Sequence, residues 1–202
     1  MKILVAGVGN VFLGDDGFGV AVAGHLAGTG LPTGVTVRDF GIRGIHLAYE
    51  LTGGGYDTVV LVDAVSRGGP PGTLYVIEPS PGDRPGSFVD AHSMTPEAVL
   101  ALADALGDEA GDTAGPGGTG GTGGTGGTGE ARGMDGTGKA GRTGVARVLL
   151  VGCEPADTSP GMELSAPVAD AVGRAAEMVV ELVEEEIAMA LATAGREGER
   201  AC

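Results

Sequence analysis

The sequence predicts a single three-layer α/β domain with a mostly parallel central sheet flanked by helices. Three observations carry this. Strand-like and helix-like segments alternate along most of the chain, the order expected of βαβ units. The strand segments ILVAG, TVVLV and VLLVG are continuously apolar, which fits strands covered on both faces. The length of 202 residues suits one domain whose core is large enough to fold unaided. With no Trp and few aromatics, that core has to be built from Val, Leu, Ile, Ala and Met.

Taken in order, residues 2–6 read as a strand around Ile3, Leu4 and Val5, and 17–27 as a helix. Residues 35–40 form a second strand, 42–51 a second helix and 58–65 a third strand. Residues 73–78 form a fourth, reached through a short Gly/Pro-rich connection. That connection is too short for a helical crossover, so one antiparallel pairing is expected. A helix over 96–106 opens on Thr95 as N-cap, Pro96 at the first position and Glu97 in the first turn. A strand follows at 147–151. The last helix is expected over 166–192, with Val168, Val172, Ala175, Val179, Leu182 and Val183 at helical spacing.

The domain is expected to span 1–192, with a flexible Gly-rich insertion at 107–144 and a disordered tail at 193–202. In the insertion 17 of 38 residues are Gly, including GGTGGTGGTGGTG. Such a segment buries too little apolar surface to offset its ordering entropy.

Formal net charge is −15, which argues against nucleic acid or an anionic membrane as partner, because phosphates need Lys and Arg. Two cysteines, Cys153 and Cys202, make no disulfide framework, so a reducing compartment is the default. The apolar start is broken by Gly7, Gly9 and Asn10 and followed by Asp15 and Asp16, which argues against a signal peptide. No apolar run approaches the ~20 residues of a membrane span. These features predict a soluble, cytoplasmic protein.

In open α/β sheets, ligands gather at the carboxyl ends of the strands. The polar residues there are Asp15 and Asp16 after the first strand, Asp39 after the second, Asp63 after the third and His92 after the fourth. Asp16, Asp63 and His92 suit a divalent metal such as zinc or nickel, with positions left for water or substrate. Each has a structural alternative: Asp15 or Asp16 caps the helix, Asp63 is a solvated turn residue, and His92 is a surface histidine. His25 and His46 lie in helical stretches away from the strand ends. Cys153 follows a buried-looking strand with no His near it in sequence, which favours a small core residue over a nucleophile. Gly7-x-Gly9 with Asp39 resembles half of a dinucleotide fingerprint, but Phe12 stands where the third Gly belongs. A nucleotide-binding oxidoreductase is therefore the weaker reading, and no nucleotide is expected.

KILVAGVGNVFLGDDGFGV resembles the opening of the nickel–iron hydrogenase maturation endopeptidases, through Gly7, Gly9, Asn10, Asp15, Asp16, Gly17 and Gly19. The resemblance continues through Asp63 in VVLVDAV, His92 in DAHSMTPEAVL, VGCEP at 151–155 and LSAPVADAV. It implies a phosphorylase/hydrolase-like fold and an endopeptidase that removes the C-terminal extension of a hydrogenase large-subunit precursor after nickel insertion. It implies that Asp16, Asp63 and His92 touch the nickel of that precursor, with no metal necessarily resident in the protease. Asp39 is a candidate general base, in an aspartic-type or metal-dependent mechanism, and Asp16 is a candidate catalytic group as well as a metal contact. A monomer is expected. The competing reading on the same fold is a non-catalytic metal-binding assembly factor. Two departures stand out: Asp16 where some relatives carry Glu, and Phe40-Gly41-Ile42-Arg43-Gly44 where a small Gly/Thr run is common.

Overall fold

An uninterrupted apolar strand needs cover on both faces, and the first strand has it: β1, Ile3–Val8, is buried at every position. The structure, a computed structural model, describes residues 1–78 and 145–200. After β1 come a 3-10 turn at Gly14–Gly17, α1 (Phe18–Leu26), β2 (Val35–Gly41), α2 (Gly44–Gly53), β3 (Thr58–Ala64) and β4 (Leu74–Ile77). The chain resumes with β5 (Arg147–Cys153), α3 (Ala166–Ala169) and α4 (Ala171–Arg200). The helix expected at 96–106, the Gly-rich segment at 107–144, His92 and Cys202 lie outside the described residues.

The five strands are ordered β2-β1-β3-β5-β4. β1 runs parallel to β2 and β3, β3 runs parallel to β5, and β4 runs antiparallel to β5. Alternation within each strand divides the core in two. Ile3, Val5, Val60 and Val62 meet Phe18, Val22 and Leu26 of α1 and Val179 and Val183 of α4 on one face. Leu4, Ala6, Val8, Val59 and Leu61 meet Leu47, Ala48 and Leu51 of α2 on the other. This is the three-layer, mostly parallel architecture that the sequence predicts.

Three details differ from the expectation. The antiparallel strand exists, but β4 pairs with β5 and not with β3. Both edges of β3 are already occupied, by β1 and β5, so β4 has to add at the outer edge of the sheet. The final helix is divided, with the short α3 ending at Ala169 before α4 begins at Ala171. Finally, α4 continues to Arg200, past the 192 boundary and into the tail expected to be disordered. Once nucleated on packed turns, a helix gains one hydrogen bond for each residue added, so polar composition alone does not end it.

The connection through α1 carries the chain from β1 to β2. The next, through α2, carries it back across β1 to β3 on the other side. The two helices lie on opposite faces. A crevice therefore opens at the carboxyl ends of β1 and β3, the switch point where such sheets bind ligands.

Candidate active site

The crevice is floored by the turn after β1. Gly9 has φ of 125°, in the region that favours glycine. A β-carbon there would lie 1.8 Å from the Asp16 carbonyl oxygen and 3.5 Å from Asp63 Oδ1. The absent side chain is what lets these two acidic residues approach the turn. The Asn10 amide donates to Asp16 Oδ2 at 2.8 Å, and Asn10 Oδ1 accepts the Phe12 amide at 3.0 Å, which shapes the loop into the 3-10 turn. Asp16 enters from the α1 side. Asp63 continues the parity of Val59 and Leu61, whose side chains belong to the α2-side core; it is 7% exposed and its Oδ1 accepts the Ala64 amide at 2.8 Å. Of the three residues predicted to touch a metal, Asp16 thus has its carboxylate on the Asn10 amide and Asp63 has its carboxylate beside Gly9, on adjacent residues of one turn. Two carboxylates here have the hard oxygen donors that a divalent ion accepts.

Asp39 stands at the same end of the sheet but farther off. It is level with Gly7 on the β2 side, while Val62, just before Asp63, is level with Gly7 on the β3 side. With β1 between them, and strands about 4.8 Å apart, Asp39 and Asp63 are separated by roughly 10 Å across the sheet. Asp39 is exposed, and its carbonyl accepts Arg43 Nη2 at 2.8 Å. It lines an open cleft of about 560 Å³ with Arg38, Arg43, His46 and Tyr49. His46, set aside in the sequence reading, borders this cleft; His25 is exposed on α1.

The acidic pair divides its labour in a way that the sequence does not reveal. Neither residue caps a helix by its side chain. Asp15 is fully buried and takes hydrogen bonds from a segment far along the chain. Its Oδ2 accepts the Ala156 amide at 2.7 Å, the Asp157 amide at 3.0 Å and Ser165 Oγ at 2.9 Å, and its Oδ1 accepts the Ser165 amide at 2.6 Å. Burial works to raise its pKa, but the donors from Asp157, Ser165 and Ala156 outweigh it and the net shift is downward.

Glu154, in the VGCEP segment, does the same for the loop after β3. It accepts the Arg67 amide at 2.8 Å, the Gly68 amide at 3.0 Å and the Tyr75 hydroxyl at 2.9 Å. Sequence reading gave this residue no role; the signal was an acid placed directly after a buried strand. Burial pushes its carboxyl up, yet the Arg67 amide and the Tyr75 hydroxyl prevail and hold it at about 2. Cys153 is fully buried, and burial with the nearby Asp15 charge pushes its thiol up to about 11. That is the opposite of an activated nucleophile, in agreement with the small core residue expected.

The Glu154 shift fixes the sign of an acid effect. A carboxyl lowered from 4.5 to about 2 on folding contributes stability that is complete above 4.5 and is lost as pH falls through about 2. Thermal melts of wild type and Glu154→Gln should differ at neutral pH and converge as the pH falls from 4.5 toward 2. A gap that stays constant across that window is the contrary result.

The hydrogenase maturation protease family model, HycI, matches residues 20–112, a span that includes Asp39, Asp63 and His92. The hydrogenase expression/formation protein HupD of Rhizobium leguminosarum bv. viciae is 34% identical over 112 residues, covering 52% of this chain and 53% of the relative. The chain spans about half the length of the curated relatives it matches first. The hydrogenase 2 maturation peptidase from the Thaumarchaeota archaeon SCGC_AB-539-E09 is 27% identical, with a TM-score of 0.56 over 91% of this chain and 99% of that one. The hydrogenase maturating endopeptidase HybD from E. coli shares the fold, with a TM-score of 0.61 at 23% identity over 92% and 94% of the two chains. In sequence the chain is similar to hydrogenase maturation proteins over about half of its length, and in fold to maturation peptidases over about nine-tenths of it.

Proposed function

We propose that this chain is an endopeptidase that removes the C-terminal extension from the nickel-loaded precursor of a nickel–iron hydrogenase large subunit. The observation that carries the reading is the Asp16 carboxylate on the Asn10 amide with the Asp63 carboxylate beside Gly9, in one turn at the switch point of a fold shared with proteins named as maturation peptidases. In this reading the precursor's nickel is part of the substrate. Asp16 and Asp63 contact it together with His92, and the contact brings the scissile bond to a fixed position. Asp39, about two strand spacings from Asp63, is the candidate to take the proton of the attacking water. The protein acts as a monomer in the cytoplasm, where a buried thiol such as Cys153 stays reduced.

The test is a cleavage assay on nickel-loaded precursor followed by mass, with metal-free precursor as control. Loss of a short C-terminal peptide from the loaded form alone is the expected result. If the precursor stays intact with this protein but is cut by another maturation protease, the peptidase reading fails and a non-catalytic assembly factor takes its place.

A further inference from the structure

The geometry points to Asp15 as a positioning residue that fixes the Asp16 carboxylate by clamping the 3-10 turn to the loop between β5 and α3. The inference rests on the endopeptidase reading for its kinetic consequences only. Consecutive residues of a 3-10 turn are about 120° apart around its axis. One acid of the Asp15-Asp16 pair therefore faces the protein when the other faces the crevice, and anchoring the first orients the second.

The anchor is built from both sides. The Asp15 carboxylate collects three backbone N–H groups and one hydroxyl from Ala156, Asp157 and Ser165. The main chain of the turn is held as well: Asp15 N donates to the Asp157 carbonyl, Gly14 N to the Gly161 carbonyl and Gly161 N to the Phe12 carbonyl, each at 2.9 Å. Ser165 is the N-cap residue of α3, yet its hydroxyl makes no cap bond and goes to Asp15 instead. The loop donors have a charged acceptor where a neutral one would be weaker. By contrast, Asp16 is only partly buried, and among the described residues its carboxylate accepts a single hydrogen bond, from the Asn10 amide. Its position depends on the turn that carries it.

Asp15→Asn keeps the shape but turns an amide N–H₂ toward donors that need an acceptor. Ser165→Ala is the milder variant, removing one hydroxyl bond and leaving the three backbone donors in place. Two readouts are required, both taken at a temperature at which each variant is folded. The first is hydrogen exchange of the Asn10 amide, which reports whether the Asp16 carboxylate is still held; a purely global loss of stability would speed it only in parallel with amides of the core strands. Asp15→Asn is expected to speed Asn10 exchange selectively, and Ser165→Ala to do so less. The second is cleavage of nickel-loaded precursor, where kcat of Asp15→Asn should fall by about 100-fold, the scale of a misplaced reacting group, with KM within about threefold of wild type.

If Asn10 exchange rises only in step with the core, or if kcat is unchanged while the melting temperature falls, Asp15 is merely structural and the inference is overturned. If wild type itself fails to cleave, the endopeptidase reading falls, and the selective exchange at Asn10 still decides whether Asp15 positions Asp16.

Discussion

Asp63→Asn is expected to slow cleavage of the nickel-loaded precursor by about 10²-fold or more, the scale of a scissile bond misplaced when the contact that positions it is lost. The substitution conserves volume and keeps one acceptor oxygen, at a site that is 7% exposed. The backbone neighbourhood, including the Ala64 amide bond to Oδ1, has an oxygen to accept it in either residue. The loss is therefore chemical rather than a collapse of β3. Asp16→Asn should fall in the same range, because its carboxylate lies on the adjacent Asn10 amide. If the two acids contact one nickel ion, the double variant should lose far less than the product of the single losses, since groups that act as a unit are not additive. Single-turnover assays on all three variants measure this. Either single variant within threefold of wild type would remove that residue from the proposed machinery, and strictly multiplicative losses would separate the two roles.

The parts of this site that could be read from the sequence are those that a local pattern encodes. A continuous apolar run makes β1, β3 and β5 central strands, and the polar residue that ends such a run is exposed at the carboxyl edge by topology; Asp63 was found in this way. The Gly9-Asn10 turn is a local signal too, because a glycine at positive φ follows directly from a strand that must stop and turn. What stayed hidden depends on residues distant in sequence. Nothing near Asp15 or Asp16 distinguishes the inward-facing acid from the outward-facing one, since the donors that decide it come from Ala156, Asp157 and Ser165. The roughly 10 Å between Asp39 and Asp63 follows from the strand order, which puts β1 between them. The partner of β4 depends on which strand edges are still free, and Glu154 gains its role only once the loop of Ser66, Arg67 and Gly68 wraps around it. Local chemistry thus indicates where an acid sits; non-local hydrogen bonding decides whether it is free to meet a substrate.

Gly19→Ala tests the contact that holds the crevice together. In the first turn of α1, a β-carbon at position 19 would lie 2.0 Å from the Val62 carbonyl oxygen and 2.3 Å from the Val8 carbonyl oxygen. Both are backbone atoms of central strands, so no side chain is there to swing aside. The helix would have to lift off the sheet, disturbing the packing of Phe18 and Val22 against Val60 and Val62. Overpacking of this kind costs about 3 kcal/mol or more, a large share of the 5–15 kcal/mol typical of a domain. For a chain of this length it should lower the melting temperature by about 10 °C. Gly24→Ala in the same helix is the internal control, because a β-carbon there meets nothing within 4 Å and alanine is the better helix former by about 1 kcal/mol. It should leave stability equal or higher. If the two variants melt together, helix propensity and not close contact governs α1, and the approach of α1 to β1 and β3 would not be what sets the turn carrying Asp15 and Asp16. If Gly19→Ala alone is destabilised, Gly19 is there for the sheet, and the geometry of the crevice is a consequence of how closely α1 lies on Val8 and Val62.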